Sequence, residues 1–161
     1  MGISFKVLGA MFDFFDGDVI RVNHALKVYG FAENIGLAEK ISDEKLEIVK
    51  ISAILHDVGI KISEEKYNSS AGHLQELEGP AIAKDILSKF DLEPSFIERV
   101  CFLIKHHHTY TKIDDIDYQI LVEADFLVNI HENNMDDSMI NNVLTKYFKT
   151  ATGIKFLKSI Y

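Results

Sequence analysis

Four places along the chain carry side chains that can do chemistry together. His56 and Asp57 close an apolar run, Ile51 to Gly59 (ISAILHDVG), so an imidazole and a carboxylate stand side by side where a core helix ends. His24 lies upstream in RVNHALKV, the triplet His106, His107 and His108 lies downstream, and Asp125 follows in LVEADFLVNI. Imidazole nitrogens and carboxylate oxygens form a mixed ligand set, one that suits Mn, Fe, Co, Ni or Zn and suits Mg less well. A bare His-Asp dipeptide occurs by chance, so the weight rests on whether the four places converge.

Helical periodicity says that they can. Leu46, Val49, Ala53 and His56 recur at spacings of three, four and three, which carries His56 along an inward stripe, and Ser42 is the expected N-cap of that helix. Ile97, Val100, Ile104 and His107 repeat the same spacing and turn His107 inward. Leu121, Ala124, Asp125 and Val128 form a third stripe. An aspartate on a core face is expensive unless paired or bound to a cation, so Asp125 demands a partner. His24 belongs to a helix expected from Val19 to Ile35, capped by Asp18 and stopped by Gly36.

The other elements are also helical. A short helix is expected over Ile3 to Phe15, one from about Pro80 in a first-turn position, one from Pro94, one from Tyr118 to about Glu132 capped by Asp117, and two short ones over 137–161, the second capped by Thr152. The polar stretch from Gly59 to Glu78 shows no period and is expected to be a lid over the site. The reading is an all-α fold in one domain over 1–161.

Composition narrows the function. At 161 residues, with 47% hydrophobic and 26% charged residues, the chain has the make-up of an ordinary globular protein, and no apolar run is long enough for a membrane span. A formal charge of -8 argues against a nucleic-acid polymer as partner, because such binding needs a basic surface. A small phosphorylated ligand needs only a local positive focus and stays compatible with it. One cysteine, Cys101, and no signal-peptide pattern point to the cytoplasm.

The order His24, then His56-Asp57, then the histidine cluster, then Asp125 resembles the HD superfamily of metal-dependent phosphohydrolases, and the similarity covers about residues 18–132. EGPAIAKDIL matches that family's helices as well. The resemblance implies a helical HD-domain fold in which His24, His56, Asp57 and Asp125 ligate one divalent metal, and hydrolysis of a phosphoester, most often in a nucleotide. Asp57 would also orient the attacking water, and His106 or His107 would protonate the leaving oxygen or, with His73, hold a second metal. Arg21, Lys61 and Lys105 are the candidate phosphate contacts, and Asn129, one turn after Asp125, is the candidate partner that fixes its carboxylate.

The chain departs from the family pattern in two places. Gln75 stands where two-metal members carry a histidine, and Ile60 stands where many members have a lysine after the glycine and some nucleotidases an acidic residue. Two other functions compete with the phosphohydrolase: a di-iron oxygenase of the HD type, and a non-catalytic module that binds a nucleotide or metal.

Overall fold

The computed structural model describes residues 2–161, and among them the structure is helical without strands. In chain order the helices are α1 (Ile3–Phe15), α2 (Val19–Ala38), α3 (Asp43–Leu55), α4 (Gly59–Tyr67), α5 (Gly72–Leu87), α6 (Pro94–His106), α7 (Ile116–Glu132), α8 (Asp137–Tyr147) and α9 (Ala151–Ile160). The all-α expectation holds. No helix is long and apolar enough to cross a membrane among the described residues.

Helix α7 runs through the middle. Its residues from Asp117 to Val128 are all buried, including three acidic ones, Asp117, Glu123 and Asp125. Helices α2 and α3 pack on it and on each other, α6 packs on α3, and α5 is held between α4 and α6. Ala25, Val28, Ala32 and Ile35 from α2 meet Val49, Ala53 and Ile54 from α3 and Leu121, Ala124 and Val128 from α7 in one apolar core.

Local chemistry sets several boundaries as expected. The Asp18 carboxylate accepts the Arg21 N–H and Ser42 Oγ accepts the Lys45 N–H, satisfying donors that a helix start leaves free. Pro94 opens α6, where its missing N–H costs nothing.

Elsewhere the structure corrects the expected boundaries. The stretch 59–78 is not an unstructured lid but α4 and the first half of α5, and Pro80 lies inside α5 instead of opening it. The inward face of α4 is made of Gly59 and Ser63, so no apolar period marks it. The polar first half of α5 is stabilised by tertiary partners: the Glu76 carboxylate accepts the His108 N–H at 3.0 Å and the Thr109 hydroxyl at 2.8 Å.

Gly36 does not stop α2. It is buried within the helix where Leu46 packs so closely that a Cβ would lie 2.7 Å from that side chain, and Lys40 takes the left-handed turn at φ 55°. Asp115, not Asp117, caps α7; Asp117 is buried and paired with Arg99 at 2.6 Å. Thr150, not Thr152, caps α9, its hydroxyl accepting the Gly153 N–H while the Glu123 carboxylate accepts the Thr150 N–H.

Gly59 fixes how closely α4 can approach α5. A Cβ at this position would meet the Gln75 carbonyl at 2.5 Å and the Gly79 nitrogen at 2.8 Å, both backbone atoms that no rotamer change can move. Gly59→Ala is therefore expected to destabilise the protein by about 1–3 kcal/mol through overpacking. A denaturant midpoint unchanged from wild type would show that the two helices separate freely.

Candidate metal centre

The site forms where α2, α7 and the turn after α3 meet the C-terminal end of α6. His24 sits in α2 and Asp125 in α7. His56 is the C-cap of α3 and His107 the C-cap of α6, so both rings project from helix ends whose last carbonyls lie close by. His56 Nδ1 is 2.8 Å from the Ala53 carbonyl, and His107 Nδ1 is 2.7 Å from that of Ile104. A carbonyl only accepts, so each Nδ1 carries the hydrogen and each neutral ring turns its Nε2 lone pair inward. His24 is held differently: its Nδ1 lies 2.7 Å from a carboxylate oxygen of Glu132.

The inward atoms converge. His24 Nε2 and His56 Nε2 are 3.1 Å apart, Asp125 Oδ1 is 3.2 Å from the first and 3.5 Å from the second, and Asp57 Oδ2 is 3.4 Å from both. Ligands bonded to one ion at about 2.0–2.2 Å stand roughly 3.0–3.5 Å from one another, so these separations match the edges of a coordination shell. The other Asp57 oxygen, Oδ1, faces His107 Nε2 at 3.6 Å. That nitrogen is buried with no hydrogen-bond partner among the described residues, which leaves a lone pair aimed at nothing but the site. Asp57, His107 and His108 can also present ligand atoms within 4.8 Å of one another, so Asp57 stands between two possible cation positions. Residues present therefore fit a divalent cation at the first position and offer a second.

Without a cation, protons must balance the two carboxylates. Burial opposes charge on His56, but the Asp57 and Asp125 carboxylates outweigh it and push its pKa up to about 9. Burial likewise opposes ionisation of Asp57, and the His56 and His107 imidazoles overcome it, bringing Asp57 down to about 2. Asp125 is held well below the usual carboxylate range against the penalty of burial, through its hydrogen bonds to His24 and His56. His108 is driven the other way, down to about 4, by burial and the neighbouring His107.

A cavity of about 240 Å³ opens onto this cluster, lined by Arg21, Ile60, Gln75, His108, Asn129 and Glu132 among others. Of the residues expected at the site, His24, His56, Asp57, His107 and Asp125 are brought together, and Arg21 and Asn129 reach the cavity. Arg21 is not free there: its guanidinium pairs with Asp18 and Glu64, each at 2.6 Å. Asn129 lines the wall without a hydrogen bond to Asp125 among the described residues.

Four expectations fail on placement. His73 is exposed on the first turn of α5, because the residue its helix buries there is Gln75. His106 packs on Phe102 with ring centroids 4.7 Å apart, one helix position too early to face the cluster. Lys105 is exposed and borders a separate groove with Lys84 and Cys101. Lys61 is only partly buried and does not line the cavity. Two residues noted in the sequence without a site role, His108 and Gln75, join the cavity wall, and one participant, Glu132, went unnoticed. His108 hydrogen-bonds Gln75 Oε1 at 3.1 Å, which brings both into the cavity wall. Glu132 lies seven residues after Asp125, two turns on along one helix face, and that spacing is the signal that could have found it.

Comparison with known proteins bears on the family and the fold. A family model described as HD domain matches residues 21–135. A crystal structure of a predicted HD superfamily hydrolase from an uncultured Thermotogales bacterium superposes with a TM-score of 0.68. The match has 21% identity and covers 96% of this chain and 82% of that one, a likeness of fold. No curated protein matches the chain.

The proton balance makes the metal-free protein pH-sensitive in a definite direction. His56 rises from 6.5 to about 9 on folding, so its contribution is complete below about 6.5 and is lost as pH climbs through 9. Asp57 falls from 3.8 to about 2, so its contribution is present above about 3.8 and is lost as pH drops toward 2. In chelator, the melting temperature is expected to be highest between about pH 4 and 6.5 and to fall toward pH 9. Thermal melts with and without added cation check this, and a metal-free melting temperature that rises from pH 6.5 to 9 would contradict it.

Proposed function

The chain belongs to the HD domain family, and from that premise we propose that it is a metal-dependent phosphohydrolase acting on a small phosphate ester, a nucleotide being the leading candidate. The observation that carries the proposal is the convergence of His24, His56, Asp57 and Asp125, with the unpartnered His107 Nε2 beside them. The description of the structurally similar protein as a hydrolase supports the same reaction type.

His24, His56, Asp57 and Asp125 would hold the cation, with Mn, Fe, Co, Ni or Zn suited to the donor set. Bound there, it supplies Lewis acidity that polarises a phosphoryl oxygen and lowers the pKa of water. The residues themselves do the positioning. Asp57, with one oxygen toward His24 and His56 and the other toward His107, orients the attacking water on the open side of the cluster. His107 can ligate a second cation with His108 through its inward Nε2, and it hands a proton to the leaving oxygen only in its doubly protonated form, with a hydrogen on Nε2 as well as on Nδ1. Arg21 at the cavity wall serves the phosphate only by exchanging Glu64 or Asp18 for it. Ile20 and Ile60 give the mouth an apolar side against which an uncharged leaving group can rest.

A second reading draws on the same geometry. His24, His56, Asp57, Asp125, His107 and His108 number six potential ligands, the count a di-iron oxygenase of this fold requires. Anaerobic metal analysis separates the two: two irons per chain favour the oxygenase.

The proposal is tested by loading metal-free protein with Mn, Fe, Co, Ni, Zn or Mg and measuring phosphate release from nucleotides and sugar phosphates. At least one cation is expected to support turnover, and Asp57→Ala to abolish both metal retention and turnover. Full activity in Asp57→Ala would end the phosphohydrolase assignment. Binding of a nucleotide without turnover under any of these ions would identify a non-catalytic module instead.

A further inference from the structure

His24 differs from the other two inward imidazoles in what holds it. His56 and His107 each give Nδ1 to a backbone carbonyl three residues back on the same helix, an interaction within one element that any folded α3 or α6 provides. His24 Nδ1 meets the Glu132 carboxylate, an anion delivered from the last turn of α7 and 108 residues distant in sequence. The other oxygen of that carboxylate takes the Lys27 ammonium at 2.6 Å, and Lys27 lies one turn beyond His24 on α2. Glu132 thus staples α2 to α7 through a charged chain, Lys27 to Glu132 to His24, and His24 carries it on to Asp125 at 3.2 Å.

We propose that Glu132 is a positioning residue of the metal centre: by accepting the Nδ1 hydrogen of His24 it locks the ring so that Nε2 faces the cation, and its negative charge makes that nitrogen a stronger donor. This rests on the reading of His24 as a ligand. A carboxylate behind a ligating imidazole raises the basicity of the ring, and removing such a partner costs about 10–100-fold in metal affinity. Lys27 sets the strength of the effect, since it shares the same carboxylate and draws charge away from the ring. Asp125, Asn129 and Glu132 fall at intervals of four and three on α7, so one helix face supplies a candidate ligand, a cavity wall and the support for a second candidate ligand.

The experiment is a chelator-competition titration with Co²⁺, read by the visible absorption of the bound ion, on the full chain and on Glu132→Ala and Glu132→Gln. Wild type is expected to bind Co²⁺, Glu132→Ala to bind about 10–100-fold more weakly with a shifted absorption band, and Glu132→Gln to fall between them because the amide oxygen can still accept from Nδ1. A Glu132→Ala affinity within about twofold of wild type, far less than that loss, overturns the role of Glu132 and leaves the metal centre standing. Should Glu132→Ala fail to fold, the near-isosteric Glu132→Gln decides: weaker binding with an altered spectrum supports the proposal, and wild-type binding overturns it. Wild-type protein that takes up no Co²⁺ removes the metal reading itself and this proposal with it.

Discussion

Asp57 and Asp125 place two carboxylates where little solvent reaches them, within 3.5 Å of the same pair of imidazole nitrogens. Uncompensated, such a pair would be among the most expensive features an interior can hold, because taking each ion out of water costs several kcal/mol after relaxation. Compensation has to be positive and has to sit between them. Protons on His24 and His56 can provide it, and so can a cation that displaces those protons. The two solutions are mutually exclusive, and that competition joins the stability of the fold to whatever the site binds.

The demand for convergence explains features that lie away from the site. His56 and Asp57 leave α3 where the chain must turn at once, and the turn is short because Gly59 lets α4 begin flat against the backbone of α5. On the opposite side, α2 and α7 are drawn together by His24, Asp125, Lys27 and Glu132. The site is therefore also a structural seam, and ordering its side chains orders the helices that carry them.

Other buried acids in α7 show the contrast between a charge that serves the fold and one that serves a site. Glu123 is fully buried, yet its oxygens accept from Gln119, from the Lys149 and Thr150 N–H groups and from the Thr150 hydroxyl, so every demand is met within the protein. It anchors the segment between α8 and α9. Asp117 is satisfied by Arg99, which also takes Asp114 at 2.8 Å and pins the loop before α7. His107 Nε2, by comparison, has no hydrogen-bond partner among the described residues. A buried polar group without a partner is costly unless a ligand completes it, and that difference sets the site apart from the surrounding ionic network.

By itself the sequence determined the elements whose burial is apolar and periodic. The inward stripes of α3, α6 and α7 foretold His56, His107 and Asp125, and the motif order identified the family, because helical spacing and ligand type are both local properties of a chain. It misjudged α4 and the start of α5, whose buried faces are Gly59, Ser63 and Gln75, residues that read as polar or structureless until another helix supplies their contacts. Only the tertiary structure decided that His108 joins His107 at the cluster while His106 turns away to Phe102, since one residue rotates a helical side chain by about 100° and the end of α6 sets the phase. It alone joined Glu132 to His24 and tied Arg21 to Glu64. Those contacts run between helices far apart in the chain, and the packing angle that creates them is written in no single stretch of residues.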